Sequence, residues 1–262
     1  MAERINNYNT YIYGMRKSLE DKLFWYDLVH DYDTVVDFGC ADGSLLKALQ
    51  ERNDERKIKR RLVGIDNNEI MLNKAKENVP AGYFFSSFND FIPTDYTVLN
   101  LSSVIHEVYS YCSKEEIDKF WYNVFNKQYR YIAIRDMMVS KSIHDKRERP
   151  TYWIPPEYQE QFEDYCRKRK IEGGAARAQH IPLFTLEFYL KYRYIENWER
   201  ESREDYFPIY LEELLEKIPV GYEIIYLDHY TLPYAKAKVK EDIGVDIVDN
   251  THCKILLGRS KI

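Results

Sequence analysis

Val35-Val36-Asp37-Phe38-Gly39-Cys40-Ala41-Asp42-Gly43 is the stretch on which the reading of this chain turns. Thr34–Phe38 is a compact apolar run that predicts a buried strand, and it ends in a turn of small residues. Ser44–Arg52 then predicts a helix. Glycine permits positive φ, and small residues let a backbone approach a ligand closely. The helix that follows would present its first free N–H groups to that ligand. Downstream, Arg61–Asp66 predicts a second strand that ends in an acid, 29 residues after Asp37. A carboxylate at the end of the second strand is placed to accept hydrogen bonds from two ribose hydroxyls. Asp66 also precedes Asn67, Asn68 and Glu69, where a helix cap would stand. The two roles are compatible.

Working outward, apolar runs and amphipathic segments alternate. Residues 1–30 read as helical, with Leu23-Phe24-Trp25-Tyr26 as their apolar cluster. Asn68–Asn78 predicts a helix stopped by Pro80, Tyr83–Ser86 a third strand, and Tyr96–Val104 a fourth. Lys114–Asn126 predicts a helix and Tyr129–Arg135 a fifth strand. Strand and helix in steady alternation imply a parallel α/β sheet covered on both faces. The rhythm breaks after residue 136. Residues 137–210 predict helices at Pro156–Lys170, Leu183–Tyr192 and Glu196–Asp205, no strand, and a flexible joint at Gly173-Gly174-Ala175-Ala176. Ile209–Lys217 predicts a further helix. Glu223–Leu232 and Cys253–Gly258 predict two last strands, whose connection, Pro233–Thr251, shows no long amphipathic helix. An antiparallel pairing fits them. The expected organisation is a helical cap at 1–30, a core at 31–136 and 211–262, and a helical insertion or lid at 137–210.

The chain has 262 residues, is 45% hydrophobic and carries a formal charge of -5. That is enough for one well-buried core, and it does not point to a nucleic-acid coat protein, which needs a basic surface. None of the four cysteines forms a C-x-x-C pair, so neither a zinc cluster nor a disulfide framework is expected. No apolar signal core opens the chain, and no run approaches the roughly 20 apolar residues of a membrane helix. A cytoplasmic protein without membrane contact is the expectation.

Val35–Gly43 resembles motif I of the class I S-adenosylmethionine (SAM)-dependent methyltransferases, with Ala41 where a middle glycine often stands. Val63-Gly64-Ile65-Asp66 is similar to the second motif of that family. Val98–Glu107 resembles its fourth motif and the start of the next helix. The resemblance implies a seven-stranded, mostly parallel, doubly wound sheet whose last strand is antiparallel, with SAM across the strand ends. The rival nicotinamide fingerprint, G-x-G-x-x-G, is not matched, because here the spacing is Gly-x-Ala-x-Gly. Asp37 beside the turn suits an ammonium-bearing ligand rather than a pyrophosphate. A P-loop Gly-Lys-Ser/Thr is absent. Cofactor contacts are therefore expected from Asp37, Gly39, Cys40, Ala41, Gly43, Asp66, Asn67, Leu101 and Ser102. Adenine is expected near Ser87, Phe88 and Asn89.

His106 and Glu107 follow the fourth strand, at the edge where the resembling family transfers methyl groups. Histidine is a natural general base for an oxygen or nitrogen acceptor. The alternative is a helix-start histidine, with Glu107 favoured there by the helix dipole. No Asn/Asp-Pro-Pro-aromatic motif and no Pro-Cys pair occurs, which argues against the common nucleobase-amine and cytosine-C5 subclasses. The remaining histidines are scattered, so no metal site is expected.

The insertion has 13 basic and 13 acidic residues and 14 aromatics. An aromatic, charge-neutral lid suits a small, partly planar substrate or a nucleotide, with Tyr194, Glu196 and Trp198 as expected pocket walls. Stacking on an unpaired base of RNA is one alternative, kept open by the basic runs Arg167–Lys170 and Lys57–Arg61, and a SAM-binding regulatory module that has lost catalysis is another. Tyr8, Tyr11, Tyr13 and Arg16 are expected to close the other side.

Overall fold

The computed structural model describes residues 18–30, 32–145 and 152–260. The elements run α1 (Leu19–Lys22), β1 (Thr34–Phe38), α2 (Ser44–Glu55), β2 (Arg61–Ile65), α3 (Glu69–Asn78), β3 (Tyr83–Phe85), β4 (Thr97–Ser102), α4 (Ile105–Tyr111), α5 (Lys114–Asn126) and β5 (Tyr131–Met137). The insertion supplies α6 (Gln159–Lys168), α7 (Gly174–Ala178), α8 (Pro182–Lys191) and α9 (Trp198–Glu201). The chain ends with α10 (Leu211–Lys217), β6 (Tyr222–Tyr230), α11 (Pro233–Ile243) and β7 (His252–Arg259).

The sheet order is β3-β2-β1-β4-β5-β7-β6. β1 to β5 pair in parallel, while β7 runs antiparallel to both β5 and β6. This is the expected seven-stranded, doubly wound α/β sheet. Side chains alternate across a strand, so adjacent residues feed different cores. Val36, Leu99 and Ile132 join α4, α5 and α10 on one face. Val35, Val98 and Ala133 join α2 and α3 on the other. That two-sided burial is why β1 and β4 read as continuous apolar runs.

Helix starts follow local rules. Asn68 accepts from the backbone N–H of Ile70 and Met71 at 3.0 and 3.3 Å. Ser113 and Glu116 form a reciprocal capping box at α5, satisfying two donors that the helix leaves free.

Four expectations need correction. Among the described residues before 31, only Leu19–Lys22 is helical. The aromatic run after it turns instead, because Leu23, Trp25, Tyr26, Val29 and Tyr32 are all drawn into the same core. Gly173–Ala176, expected as a joint, lies at the start of a helix: Gly173 takes φ +80° as the cap of α7, which buries Ala178. The helix expected over Glu196–Asp205 shrinks to α9, since Glu204 and Asp205 are held by distant partners. The connection at 233–251 does contain a helix, α11. Only Val239 and Ile243 of that helix are buried, so its apolar stripe is too narrow to register. Pro233 at its start and Gly244 at φ +78° after it were the legible signals.

The insertion has a core of its own. Phe162, Tyr165, Leu186, Phe188 and Tyr189 form it, completed by Val239, Ile243, Val245 and Ile247 from the β6–β7 connection. Among the described residues, no helix is long and apolar enough to cross a membrane. Tyr8, Tyr11, Tyr13 and Arg16 lie outside the described residues.

Candidate active site at the strand ends

The turn after β1 is built by backbone geometry. Gly39, Ala41 and Gly43 all have positive φ (78°, 44° and 76°). A side chain on Gly39 would meet Val104 at 2.8 Å, and one on Gly43 would meet Ala75 at 3.1 Å. Both glycines therefore serve close packing of the turn as well as its handedness. Gly39 and Cys40 donate to the carbonyl of Ile65 at 2.8 and 3.1 Å, which ties the turn to the end of β2. Cys40 turns its side chain into the core.

Asp66 receives one hydrogen bond per oxygen. Ala41 N donates to Oδ2 and Asn68 N to Oδ1, both at 2.9 Å. Each oxygen keeps a lone pair for a ligand. Asp37 is buried, and its Oδ1 accepts from Asn100 Nδ2 at 2.8 Å. Asn100 in turn accepts from Trp25 Nε1 at 2.9 Å. The second oxygen of Asp37 has no partner among the described residues. Burial raises the Asp37 carboxyl to about 6, against the opposing pull of Asn100 and Lys22. A cation docked there would favour its ionised form.

At the end of β4, Leu101 is in the core. Ser102 has a buried hydroxyl without a partner, and Ser103 stands at φ +57°. A non-glycine residue in that region is strained by about 1–3 kcal/mol. Ser103 is held by its N–H on Arg135 O at 2.8 Å and by Arg135 Nη1 donating to its Oγ at 3.0 Å. Of the residues expected near adenine, Phe88 is in the core, with its ring 4.6 Å from that of Phe38. Asn89 is exposed and Ser87 partly so. Lys127 pins this loop by donating to Phe88 O and to Phe91 O, the latter at 2.7 Å. Asn67 is exposed beside Asp66.

His106 has both ring nitrogens engaged by carboxylates. Nδ1 lies 2.7 Å from Asp136 Oδ1 and Nε2 lies 3.8 Å from Glu204 Oε2. Burial disfavours the charged ring, but Asp136 first, then Glu204 and Glu107, outweigh it and raise His106 to about 9. The two carboxylates thus favour the imidazolium form at neutral pH. Asp136 also accepts from Val104 N and Ile105 N at 2.9 and 2.6 Å, and from Met137 N at 2.7 Å. Burial opposes its charge, yet His106 and these donors hold it below the usual carboxylate range.

The insertion reaches this edge through Glu204 and Arg200. Arg200 donates to Glu107 and, at 2.8 Å, to Glu204 Oε1. Tyr111 OH donates to the same Oε1 at 3.0 Å. Behind them, Lys191 Nζ binds Glu187 Oε1 at 2.6 Å and the carbonyl of Glu204. Tyr165 OH donates to Glu187 Oε2 at 2.7 Å. Of the three expected pocket walls, Tyr194 is exposed, with Glu201 and Arg135 within electrostatic reach. Trp198 is turned away, donating to Asp164 Oδ2 at 2.7 Å and packing on Phe188. Glu196 is exposed.

Sequence reasoning missed Asp136, Glu204, Arg200 and Asn100 as parts of the site. No local pattern marks the first three, because the partners on the sheet side lie 30 to 98 residues away. Asn100 was legible only as a polar residue inside an apolar strand.

No family model matches the chain, and no curated protein is similar to it by sequence. Solved structures are similar in fold. A SAM-dependent methyltransferase from Archaeoglobus fulgidus matches at 14% identity and a TM-score of 0.51, over 97% of this chain and 100% of that one. Another, from Mesorhizobium loti, matches at 12% identity and a TM-score of 0.50, over 93% and 96%. At such identities the likeness establishes architecture: the fold is that of class I SAM-dependent methyltransferases.

Proposed function

We propose that this chain is a SAM-dependent methyltransferase acting on an oxygen or nitrogen of a small molecule or nucleotide, held between the strand ends and the 137–210 insertion. The observation that carries the reading is the pair of partly uncommitted carboxylates, Asp37 and Asp66, flanking a positive-φ turn. When bound, SAM supplies an electrophilic methyl group on a sulfonium.

The residues present fit that group. The free oxygen of Asp37 suits the ammonium, and the spare lone pairs of Asp66 suit two ribose hydroxyls. Gly39, Cys40, Ala41 and Gly43 lie beneath, with Asn67, Leu101 and Ser102 alongside. Ser87 and Asn89 border the adenine end, and Phe88 supports them from the core.

Transfer from a sulfonium depends chiefly on alignment. His106 is committed to Asp136 and charged, so its role here is positioning: with Glu107 it fixes α4 and joins it to Glu204 and Arg200 of the insertion. The acceptor then either arrives as an anion or gives its proton to solvent. Tyr194 borders the acceptor side.

Two observations favour a small acceptor over RNA. Arg167 and Lys168 are paired with Asp164, and Arg169 with Asp205. Arg60 and Arg61 lie over the rings of Tyr32 and Tyr83. The basic runs are thus largely occupied within the chain. Calorimetric titration with SAM tests the premise, and no binding under native conditions rejects it. Incubating the protein with methyl-labelled SAM and a cell extract, followed by mass spectrometry, identifies the acceptor. Label recovered in RNA, with affinity that falls steeply with salt, would replace the small-molecule reading.

A further inference from the structure

At the ends of β4 and β5, two buried polar groups, Arg135 Nη2 and the Ser102 hydroxyl, have no hydrogen-bond partner among the described residues. Lys22 closes α1 and is 7% exposed, yet its ammonium makes no hydrogen bond or ion pair with another described residue. Its neighbour Asp21 cannot serve it. That carboxylate already takes Arg135 Nε at 2.9 Å, Lys254 Nζ at 2.5 Å and Tyr230 OH at 2.6 Å. The other acids within electrostatic reach of Lys22 are Asp37, Asp136 and Glu107. Asp136 holds His106 and three backbone donors and Glu107 holds Arg200, while Asp37 holds Asn100 through Oδ1 and makes no bond to Lys22.

Arg135 is the second piece. Its side chain is 4% exposed, and its Nη2 is buried with no acceptor. It is also the strongest neighbouring charge acting on Lys22, and the two repel. The third piece is the buried, unpartnered hydroxyl of Ser102, which stands beside Arg135 in the β4–β5 register. A buried cation without a partner is costly, and a second positive charge beside it adds to the cost even where, as in Arg135, part of the guanidinium is paired. Burial, reinforced by Arg135, accordingly lowers the Lys22 ammonium to about 8. An anion between them would relieve both.

We infer that Lys22 and Arg135, with Ser102, form a carboxylate-binding subsite at the strand ends. A planar carboxylate matches the guanidinium fork. The surrounding acids would repel a dianion such as phosphate. Two ligands can present the group: SAM, through its α-carboxylate, or an acidic acceptor. The first rests on the methyl-transfer reading above.

The test uses the full chain and its Lys22→Met and Lys22→Arg variants. If the donor is the source, SAM binds the wild-type protein about 10–100-fold more tightly than decarboxylated SAM, the range of a charge-assisted hydrogen bond. Lys22→Met then closes that gap and Lys22→Arg keeps it. If the acceptor is the source, the gap is insensitive to Lys22. Benzoate then binds the protein saturated with S-adenosylhomocysteine, and Lys22→Met loses that binding. Either result supports the subsite. In both, Lys22→Met without ligand melts no lower than wild type, since it removes a buried charge that has no partner among the described residues. SAM discrimination and benzoate binding both insensitive to Lys22 would overturn the inference, as would a lowered melting temperature with unchanged affinities. A wild-type chain that binds no SAM rejects the methyl-transfer reading instead, and benzoate on the free protein then decides the subsite.

Discussion

Around the turn after β1, Asp37 and Asp66 keep acceptor capacity in reserve: among the described residues, one oxygen of Asp37 has no partner and Asp66 has a single donor on each oxygen. In the insertion the buried charges are used up. Glu187 meets Lys191, Tyr165 and the N–H of Tyr206, while Glu204 meets Arg200, Tyr111 and His106. Both regions bury carboxylates, but only the first leaves them capacity for a ligand. The second spends its charges on joining the insertion to the sheet. A buried charge therefore points to binding only after its existing partners have been counted.

Four measurements would break or sharpen this contrast. The largest expected effect on folding is in the insertion. Lys191→Met removes the nearest cation from the buried Glu187 carboxylate, leaving Arg169 at 3.5 Å, and urea unfolding should show a loss of about 3–5 kcal/mol. The double variant with Glu187→Gln should recover part of it. A loss below about 1 kcal/mol would show that the network is not built as described.

Asp66→Ala should weaken SAM binding about 100-fold or more, because two hydroxyl contacts to a charged group vanish. Its unfolding free energy should fall by only about 1–2 kcal/mol, for the lost Ala41 and Asn68 bonds. Calorimetry and urea unfolding separate the two effects. A change of the opposite ranking would make Asp66 a structural cap.

The pH dependence of SAM binding should also report Asp37. Its carboxyl is raised to about 6 by burial, so an ammonium ligand meets the ionised form only above that value. Affinity should fall by up to about tenfold per pH unit below it. A flat profile between pH 5 and 7 would remove Asp37 from ammonium binding.

The smallest effect is expected from His106. Its folded value is raised to about 9 from the ordinary 6.5. The folded state thus holds the proton more tightly. The stability this adds is complete below about 6.5 and lost as pH rises through 9. An NMR titration of the ring should give a midpoint well above 7, and Asp136→Asn should lower it. A midpoint near 6.5 would return His106 to consideration as a base.

Much of the core was legible because its signals are local. The turn, the alternation of strands and helices, and the Asn68 and Ser113 starts all depend on neighbours within a few residues. Asp37 and Asp66 were legible for the same reason, since each stands at the end of an apolar strand. His106 was found but its state was not, because Asp136 and Glu204 set that state from 30 and 98 positions away. Trp198 looked like a pocket wall in sequence, yet Asp164 and Phe188 claim it. Helix α11 was missed because it buries two side chains only.

The sequence alone determined the doubly wound sheet and the place of the turn, through periodicity and the backbone demands of small residues. Tertiary structure decided which charges are spent and which are spare. Lys22, Arg135 and Ser102 carry no local signature. They become a group only when α1 and the ends of β4 and β5 meet, because electrostatic pairing depends on distance in space and not along the chain.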